Sequence, residues 1–232
     1  RDVTLKALTS KNIEEVISNF KSYNFGNDVE KALMLYNDLG EIGVIDTFLD
    51  KILYQNLADS IKSKSDLNLL KLFGTELDLY NITNIVRGKF WNLDDESIND
   101  LLVSHTSSTS DELLSKMISA ENLKSSFMEL SKTKFSEIIP SEADDIVMIN
   151  EFERKFDIFL YNSLLKEFAN MFKLSTVISV VRLYDYEIRN LSSISYAVEN
   201  NISSDIVMSK VIASESVSYT HLRAHETLMN LV

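Results

Sequence analysis

The chain has 232 residues, enough for one large domain or two ordinary ones, and its 45% hydrophobic and 25% charged content is typical of a globular protein. Five glycines, one proline and no cysteine argue against an all-β fold, a glycine-rich phosphate loop, disulfides and thiolate chemistry. A net charge of −12 argues against a nucleic-acid binder, whose affinity comes largely from cationic side chains on phosphates. The apolar runs are far shorter than the ~20 residues that a membrane-spanning helix needs.

Apolar residues recur at spacings of three and four along almost the whole chain, which predicts an all-α fold. We expect Ser10 to cap a helix whose first turn holds Glu14 and Glu15, and a helix over 28–39 to end at Gly40. Further helices are predicted over 45–63, 66–88, 94–103, 109–119, 121–131, 143–172, 175–200 and 203–213. Pro140 is the clear break in this series.

Several segments recur in the same order about 109 residues later, which predicts a duplicated helical domain. The pairs are 13–25 with 123–135, 49–57 with 156–164, 78–85 with 187–194, and 93–98 with 202–207. This period is far longer than the roughly 20–50 residues of a solenoid repeat, so we interpret it as duplication of a whole domain. We therefore expect two helical repeat domains, 1–104 and 105–214.

The remaining residues, 215–232, break this pattern and resemble translated sequencing-adapter read-through, so we expect a non-native tail. Within it, His221 and His225 stand four positions apart, a spacing that puts two imidazoles on one helix face as in zinc hydrolases, and Glu226 follows. The HExxH order and a third ligand are missing, which argues against a zinc site. Outside the tail the only histidine is His105, in a Ser/Thr-rich stretch that predicts a loop, so histidine acid–base catalysis has almost no candidate.

Polar residues that recur within long apolar helices are the candidates for a special role. Asp78 and Asn81 share one helix face, and Glu187 and Asn190 repeat that pair. Our first interpretation is helix packing through buried hydrogen bonds, and the second is a partner-binding surface. The candidates for helix packing or a partner interface are Tyr54, Glu76, Asp78, Asn81, Arg87, Tyr161, Glu187, Arg189 and Asn190.

Catalytic and metal sites are weaker alternatives. Carboxylates bind hard cations, and the acids that suggest such a site are Glu76, Asp78, Asp185 and Glu187. Di-metal helical bundles use Glu-x-x-His motifs, however, and the chain has none. A glycosidase pair stays open, although nothing selects two of the 35 acidic residues. We expect no catalytic residue, no metal and no cofactor.

Four stretches carry a family resemblance. They are GTELDLYNITNIVRGKFWNL (74–93), YDYEIRNLSSI (184–194), VIDTFLDKILYQNL (44–57) and SYNFG (22–26). In this order and spacing they resemble the C subunit of archaeal-type and bacterial V/A-type rotary ATP synthases, the family that includes the d subunit of vacuolar ATPases. The likeness covers about 5–213. Gly88 departs from it, because the family usually has Ala there. By this resemblance we expect the chain to lack the family's N-terminal third, including one of three homologous domains, and the tail 215–232 to have no counterpart in the family.

The resemblance implies an all-helical subunit of three homologous domains that form a pseudo-threefold funnel, and this chain would hold the second and third. Such a subunit does no chemistry. It is a socket at the cytoplasmic face of the membrane that links the membrane proteolipid ring to the central shaft and passes torque between them during ion-coupled ATP synthesis or hydrolysis. The alternative is a generic helical adaptor with no membrane partner. A helical hydrolase or lyase comes third and would need a cleft with convergent acids.

Overall fold

The structure is a computed structural model that describes residues 2–21, 26–40, 43–62, 67–104, 108–141, 144–170 and 173–213. Within these ranges the chain forms helices and turns and no strand, which confirms the predicted all-α fold. No helix in them is long and apolar enough to span a membrane. The predicted tail 215–232 with its two histidines, His105, and residues 22–25 of the SYNFG motif lie outside the described residues.

The chain divides into two compact units, Arg1–Glu129 and Leu130–Val232. The helices described in the first unit are α1 (Asp2–Thr9), α2 (Ile13–Lys21), α3 (Gly26–Leu39), α4 (Gly43–Lys62), α5 (Leu67–Phe90), α6 (Asp95–Asp100), α7 (Asp111–Ser119) and α8 (Leu123–Met128). Those described in the second unit are α9 (Asp145–Phe168), α10 (Leu174–Glu199) and α11 (Ser204–Lys210). Short 3-10 helices at Glu129–Lys132 and Ser136–Ile138 lie between α8 and α9.

The observed helices follow the apolar spacing closely. The long helices α4, α5, α9 and α10 match their predicted stretches to within a few residues at each end, where helices commonly fray. Gly40 ends α3 with φ 72°, and its N–H donates to the Tyr36 carbonyl at 2.7 Å. The predicted role of Gly40 is therefore confirmed, since a left-handed residue after a helix favours glycine.

The prediction that Ser10 caps the next helix is wrong. Asn12 caps α2 instead, because its Oδ1 accepts the Glu15 N–H at 2.9 Å. Ser10 directly follows α1, and its hydroxyl donates to the Lys6 carbonyl of that helix at 2.8 Å. The apolar pattern did not indicate α1, which is only eight residues long.

Helix α5 is the central element of the first unit. It packs against α4, α6, α7 and α8, and from 72 to 86 its side chains are buried except for the half-buried Thr83. Because α7 and α8 pack on α5, the first unit extends to Glu129, beyond the predicted domain boundary at 104. The units group helices that pack together, whereas the prediction followed the sequence repeat, so the domains 1–104 and 105–214 stay a prediction.

The second unit is built on a pair of long helices. Helices α9 and α10 pack along each other, α11 packs on α10, and the 3-10 helix Ser136–Ile138 packs on α9. Phe135 and Phe152 are completely buried here, and the Phe135 ring lies 5.7 Å from the Phe159 ring. Aromatic side chains therefore contribute to the core of this unit.

Trp91 directly follows α5 and closes one core cluster of the first unit. It packs against buried residues of α3, α4 and the segment after α6, namely Ala32, Val44, Phe48 and Leu101. Gly43 lies against the indole, and a Cβ at that position would be 3.3 Å from Trp91 Cζ2. The start of α4 therefore leaves little room for any residue larger than glycine.

Gly88, the departure from the family pattern, lies against a buried isoleucine of α6. A Cβ at Gly88 would be 2.7 Å from Ile98 Cγ1, closer than real Cβ contacts. Ile98 is completely buried, and its Cγ1 is next to the branch point, so it has little freedom to move away. In this chain Ile98 thus fills the space that an alanine methyl group would need.

We expect Gly88→Ala to lower the free energy of unfolding by about 1–3 kcal/mol, because overpacking outweighs the ~1 kcal/mol that alanine gains in helix propensity. In an Ile98→Ala background the same change should be neutral or stabilising, since the clashing Cγ1 is gone. Urea unfolding of the wild type, both single variants and the double variant measures this coupling. An equal effect of Gly88→Ala in both backgrounds would contradict the assigned clash.

Candidate functional site

The structure places the candidate residues on two pairs of helices. In the first unit Tyr54 lies on α4, and α5 carries Glu76, Asp78, Asn81 and Arg87. In the second unit, α9 carries one candidate, Tyr161, and α10 carries three, which are Glu187, Arg189 and Asn190. Each set is described below within its own unit.

Asn81 binds the backbone of the segment that follows α6. Its Nδ2 donates to the Val103 carbonyl at 2.9 Å, and its Oδ1 accepts the Val103 N–H at 2.9 Å. An amide side chain offers a donor and an acceptor side by side, so it can satisfy both polar groups of one residue. Asn81 is completely buried and Val103 nearly so. We call this pair the first asparagine clamp.

Asn190 makes the same contact in the second unit. Its Nδ2 donates to the Ile212 carbonyl at 2.7 Å, and its Oδ1 accepts the Ile212 N–H at 3.0 Å. Both partners stand 109 positions after those of the first clamp, which is the offset of the sequence repeat. We call this pair the second asparagine clamp. It is half-buried, whereas the first is inside the core.

Asp78 holds the segment that leads into α7. Its carboxylate accepts the backbone N–H groups of Ser108 and Thr109 at 3.0 Å and the Thr109 hydroxyl at 2.7 Å. Asp78 is completely buried, and these hydrogen bonds offset the cost of removing its charge from water. Glu187, its counterpart in the repeat, is instead exposed on α10.

Tyr54 and Glu76 meet beside a second tyrosine. The Tyr54 ring stacks on Tyr80 with 4.4 Å between centroids, and the Tyr54 hydroxyl donates to Glu76 Oε1 at 3.3 Å. The Tyr80 hydroxyl donates to the Thr47 carbonyl at 3.3 Å. Burial raises the pKa of Tyr80 far above its ordinary value, so this hydroxyl stays protonated and acts as a donor.

Arg87 acts electrostatically on Asp50 of α4. Burial, and then the charge of Asp46, raise the pKa of Asp50 above its ordinary value. The charge of Arg87 opposes both effects and favours the ionised carboxylate.

The second unit has a different cluster around Asp157. The Tyr186 hydroxyl donates to Asp157 Oδ1 at 3.0 Å, and Arg189 Nη2 lies 3.2 Å from the same oxygen. The Arg189 guanidinium also lies over the Tyr186 ring, 4.3 Å from its centroid, and the Tyr161 ring meets Tyr186 edge-on at 5.4 Å. Burial, and then the charge of Asp157, raise the pKa of Tyr186. These contacts join α9 to α10.

Sequence reasoning missed several members of these clusters. Tyr80, Thr109, Asp157 and Tyr186 were not among the candidates, although each of them contacts a candidate residue. A signal for Asp157 was present, because it stands four positions before Tyr161 in the repeat and so on the same helix face. No comparable signal existed for Thr109, which meets Asp78 only through the fold.

Among the residues in the described ranges, no three His, Asp or Glu side chains are grouped so as to hold a metal ion. An open recess of about 210 Å³ lies on α9, and its lining includes Glu137, Lys155, Asn162, Ser163 and Lys166. The Ser163 hydroxyl donates to the Phe159 carbonyl at 2.9 Å, and Lys155 pairs with Glu151 at 2.8 Å. These contacts do not bring the Lys155 amine to the Ser163 hydroxyl as a base. None of the candidate residues lines this recess.

Comparison with known proteins gives matches along most of the chain. The family model described as the ATP synthase (C/AC39) subunit matches residues 1–210. The chain is 24% identical over 194 residues to the C subunit of the A-type ATP synthase of Methanothermobacter thermautotrophicus, covering 80% of this chain and 50% of that protein. It is 24% identical over 200 residues to the C subunit of the A-type ATP synthase of Pyrococcus furiosus, covering 83% and 53%. The chain spans about half the length of these curated relatives.

The first asparagine clamp predicts a large stability effect. Asn81→Leu should lower the free energy of unfolding by about 2–4 kcal/mol, because it leaves a buried N–H and a buried carbonyl unpaired. Asn190→Leu should cost less, since that clamp is half-buried. The matched control is Asn99→Ala, which removes an exposed bond to the Asp95 carbonyl and should change stability by less than about 0.5 kcal/mol. Urea unfolding of the three variants checks the order, and an equal loss in Asn81→Leu and Asn99→Ala would contradict it.

Proposed function

Because this chain belongs to the ATP synthase (C/AC39) subunit family, we propose that it is a non-catalytic central-stalk subunit of an archaeal-type or V-type rotary ATP synthase. The observation that carries the proposal is the family match along residues 1–210. The curated relatives are named as C subunits of A-type ATP synthases, which supports membership of such a complex.

The proposed role is that of a socket. It lies at the cytoplasmic face of the membrane, contacts the membrane proteolipid ring on one side, and receives the central shaft on the other. Torque then passes between ring and shaft during ion-coupled synthesis or hydrolysis of ATP. The chain itself carries no catalytic step in this proposal.

A torque-transmitting part must be stiff, and the contacts within each unit support this. In the first unit the α5 side chains from 72 to 86 are almost continuously buried, and close-packed interiors transmit strain with little compression. Asn81 and Asn190 fix loop backbone to a long helix through paired hydrogen bonds. Loops that are fixed in this way move less than loops held only by their ends.

We also propose that 1–104 and 105–214 are the second and third of three homologous domains. The recurrence of the asparagine clamp at the repeat offset supports two related domains. The length of the curated relatives, about twice the matched region, leaves room for a further domain. The pseudo-threefold funnel is part of this same proposal.

Capture experiments test the socket directly. We expect the tagged full chain to retain the purified central-shaft subunits and the detergent-solubilised proteolipid ring, each alone and both together, in equimolar amounts. A chain with both Asn81→Leu and Asn190→Leu is the control for dependence on the folded state and should retain less of each. If the wild-type chain is folded by circular dichroism and retains neither partner, the socket is wrong and a helical adaptor becomes the better proposal.

A further inference from the structure

The recess on α9 lies where the first unit has a helix. The offset of 107 positions between α4 and α9 aligns Lys155 of the recess with Phe48 of α4. Phe48 is 1% exposed, because it lies in a core cluster with Ala32 of α3. Lys155 instead lines an open recess of about 210 Å³. The face of α9 that forms the recess therefore corresponds to the face of α4 on which α3 packs.

Pro140 gives a physical reason for the difference between the units. The 3-10 helix Ser136–Ile138 begins 110 positions after Gly26, the first residue of α3. If an α-helix continued from Ser136, the Pro140 ring would clash with the Ser136 carbonyl, and Pro140 has no N–H to bond it. The described residues between α8 and α9 accordingly form only two short 3-10 helices. Part of the α9 face that a longer helix would cover therefore stays open.

Glu151 and Lys155 fix the chain that borders the recess. Lys155 Nζ donates to the Ile139 carbonyl at 2.7 Å, and Glu151 accepts the Ser141 N–H at 2.9 Å and the Ser141 hydroxyl at 3.1 Å. Glu151 and Lys155 also pair with each other at 2.8 Å. A segment that is held at both 139 and 141 cannot shift into the recess without breaking these bonds.

The lining of the recess combines apolar and cationic groups. Its apolar part consists of Ile138, Ile158 and Phe159. Lys155 and Lys166 line it eleven positions apart on α9, which is about 16 Å of helix, and Glu137 adds one acid. The position equivalent to Lys166 in α4 is Asp59, so the charge there is reversed in the second unit. In a chain of net charge −12, two lysines beside apolar side chains favour an acidic ligand.

We propose that this recess binds an acidic amphipathic helix of a partner protein. The apolar face of that helix packs on Ile158 and Phe159 as α3 packs on α4, and carboxylates about three turns apart meet Lys155 and Lys166. An ammonium group has three N–H donors, so Lys155 keeps its bonds to Glu151 and the chain and still meets a carboxylate. This inference does not depend on the proposed function, because its test uses neither the ring nor the shaft.

Binding of a peptide with the sequence of α3 tests the proposal. The probe is the dye-labelled peptide GNDVEKALMLYNDL, which has three acidic residues and one lysine, with Asp28 and Asp38 near its two ends. Titrated with the full chain and followed by fluorescence anisotropy, it should bind saturably, and added salt should weaken the binding. Lys166→Glu should weaken it at least tenfold, because a repulsion replaces an attraction. The matched control is Lys210→Glu on α11, the same charge change at an exposed position outside the recess, which should leave binding unchanged.

A second peptide, with Asp28→Asn and Asp38→Asn, tests the demand for acids and should bind the wild-type chain at least tenfold more weakly. Lys166 is exposed, so Lys166→Glu should keep the helical content of the wild type. Equal weakening by Lys166→Glu and Lys210→Glu overturns the proposal, because binding then follows net charge alone. A wild-type chain that binds neither peptide overturns it as well. So does binding only to phosphatidylglycerol vesicles that Lys166→Glu abolishes, since the recess would then hold an anionic lipid headgroup instead of a protein helix.

Discussion

Burial of α5 is the constraint on which the first unit depends. A helix that is covered on nearly every side must find partners for each polar group that it carries, or lose more than burial gains. Asp78, Asn81 and Asn84 meet this demand by binding the backbone of 101–109, through Thr109, Val103 and Leu101. The same bonds that allow the helix to be buried therefore hold two described segments in place, residues 101–104 after α6 and residues 108–109 before α7.

In the second unit the same residue types serve a less buried helix. Asn190 keeps its bond to the backbone after α11, but Glu187 stands in solvent where its counterpart Asp78 is enclosed. Each asparagine binds the segment that follows a short helix of its own unit, α6 for Asn81 and α11 for Asn190. Asp78 instead binds Ser108 and Thr109, which lead into α7. The asparagine contact therefore lies within one predicted repeat, whereas the Asp78 contact joins one predicted repeat to the next.

The features that could be predicted from the sequence are those that depend on residues close together in the chain. Apolar spacing located the long helices, and Gly40 followed from the local chemistry of a helix end. Sequence reasoning failed where the outcome depends on residues far apart in the chain. Thr109 meets Asp78, and Tyr186 meets Asp157, only because their helices pack together. The prediction that Ser10 caps α2 was wrong, because Asn12 takes that role.

The position of Trp91 has a spectroscopic consequence. It is the single tryptophan of the chain, and it lies in the first unit against Gly43 and a cluster of buried apolar side chains. Its fluorescence therefore reports the integrity of the first unit alone, whereas circular dichroism averages over the helices of both. Two transition curves from one sample would separate the unfolding of the two units without any label, and coincident curves would mean that they unfold as one.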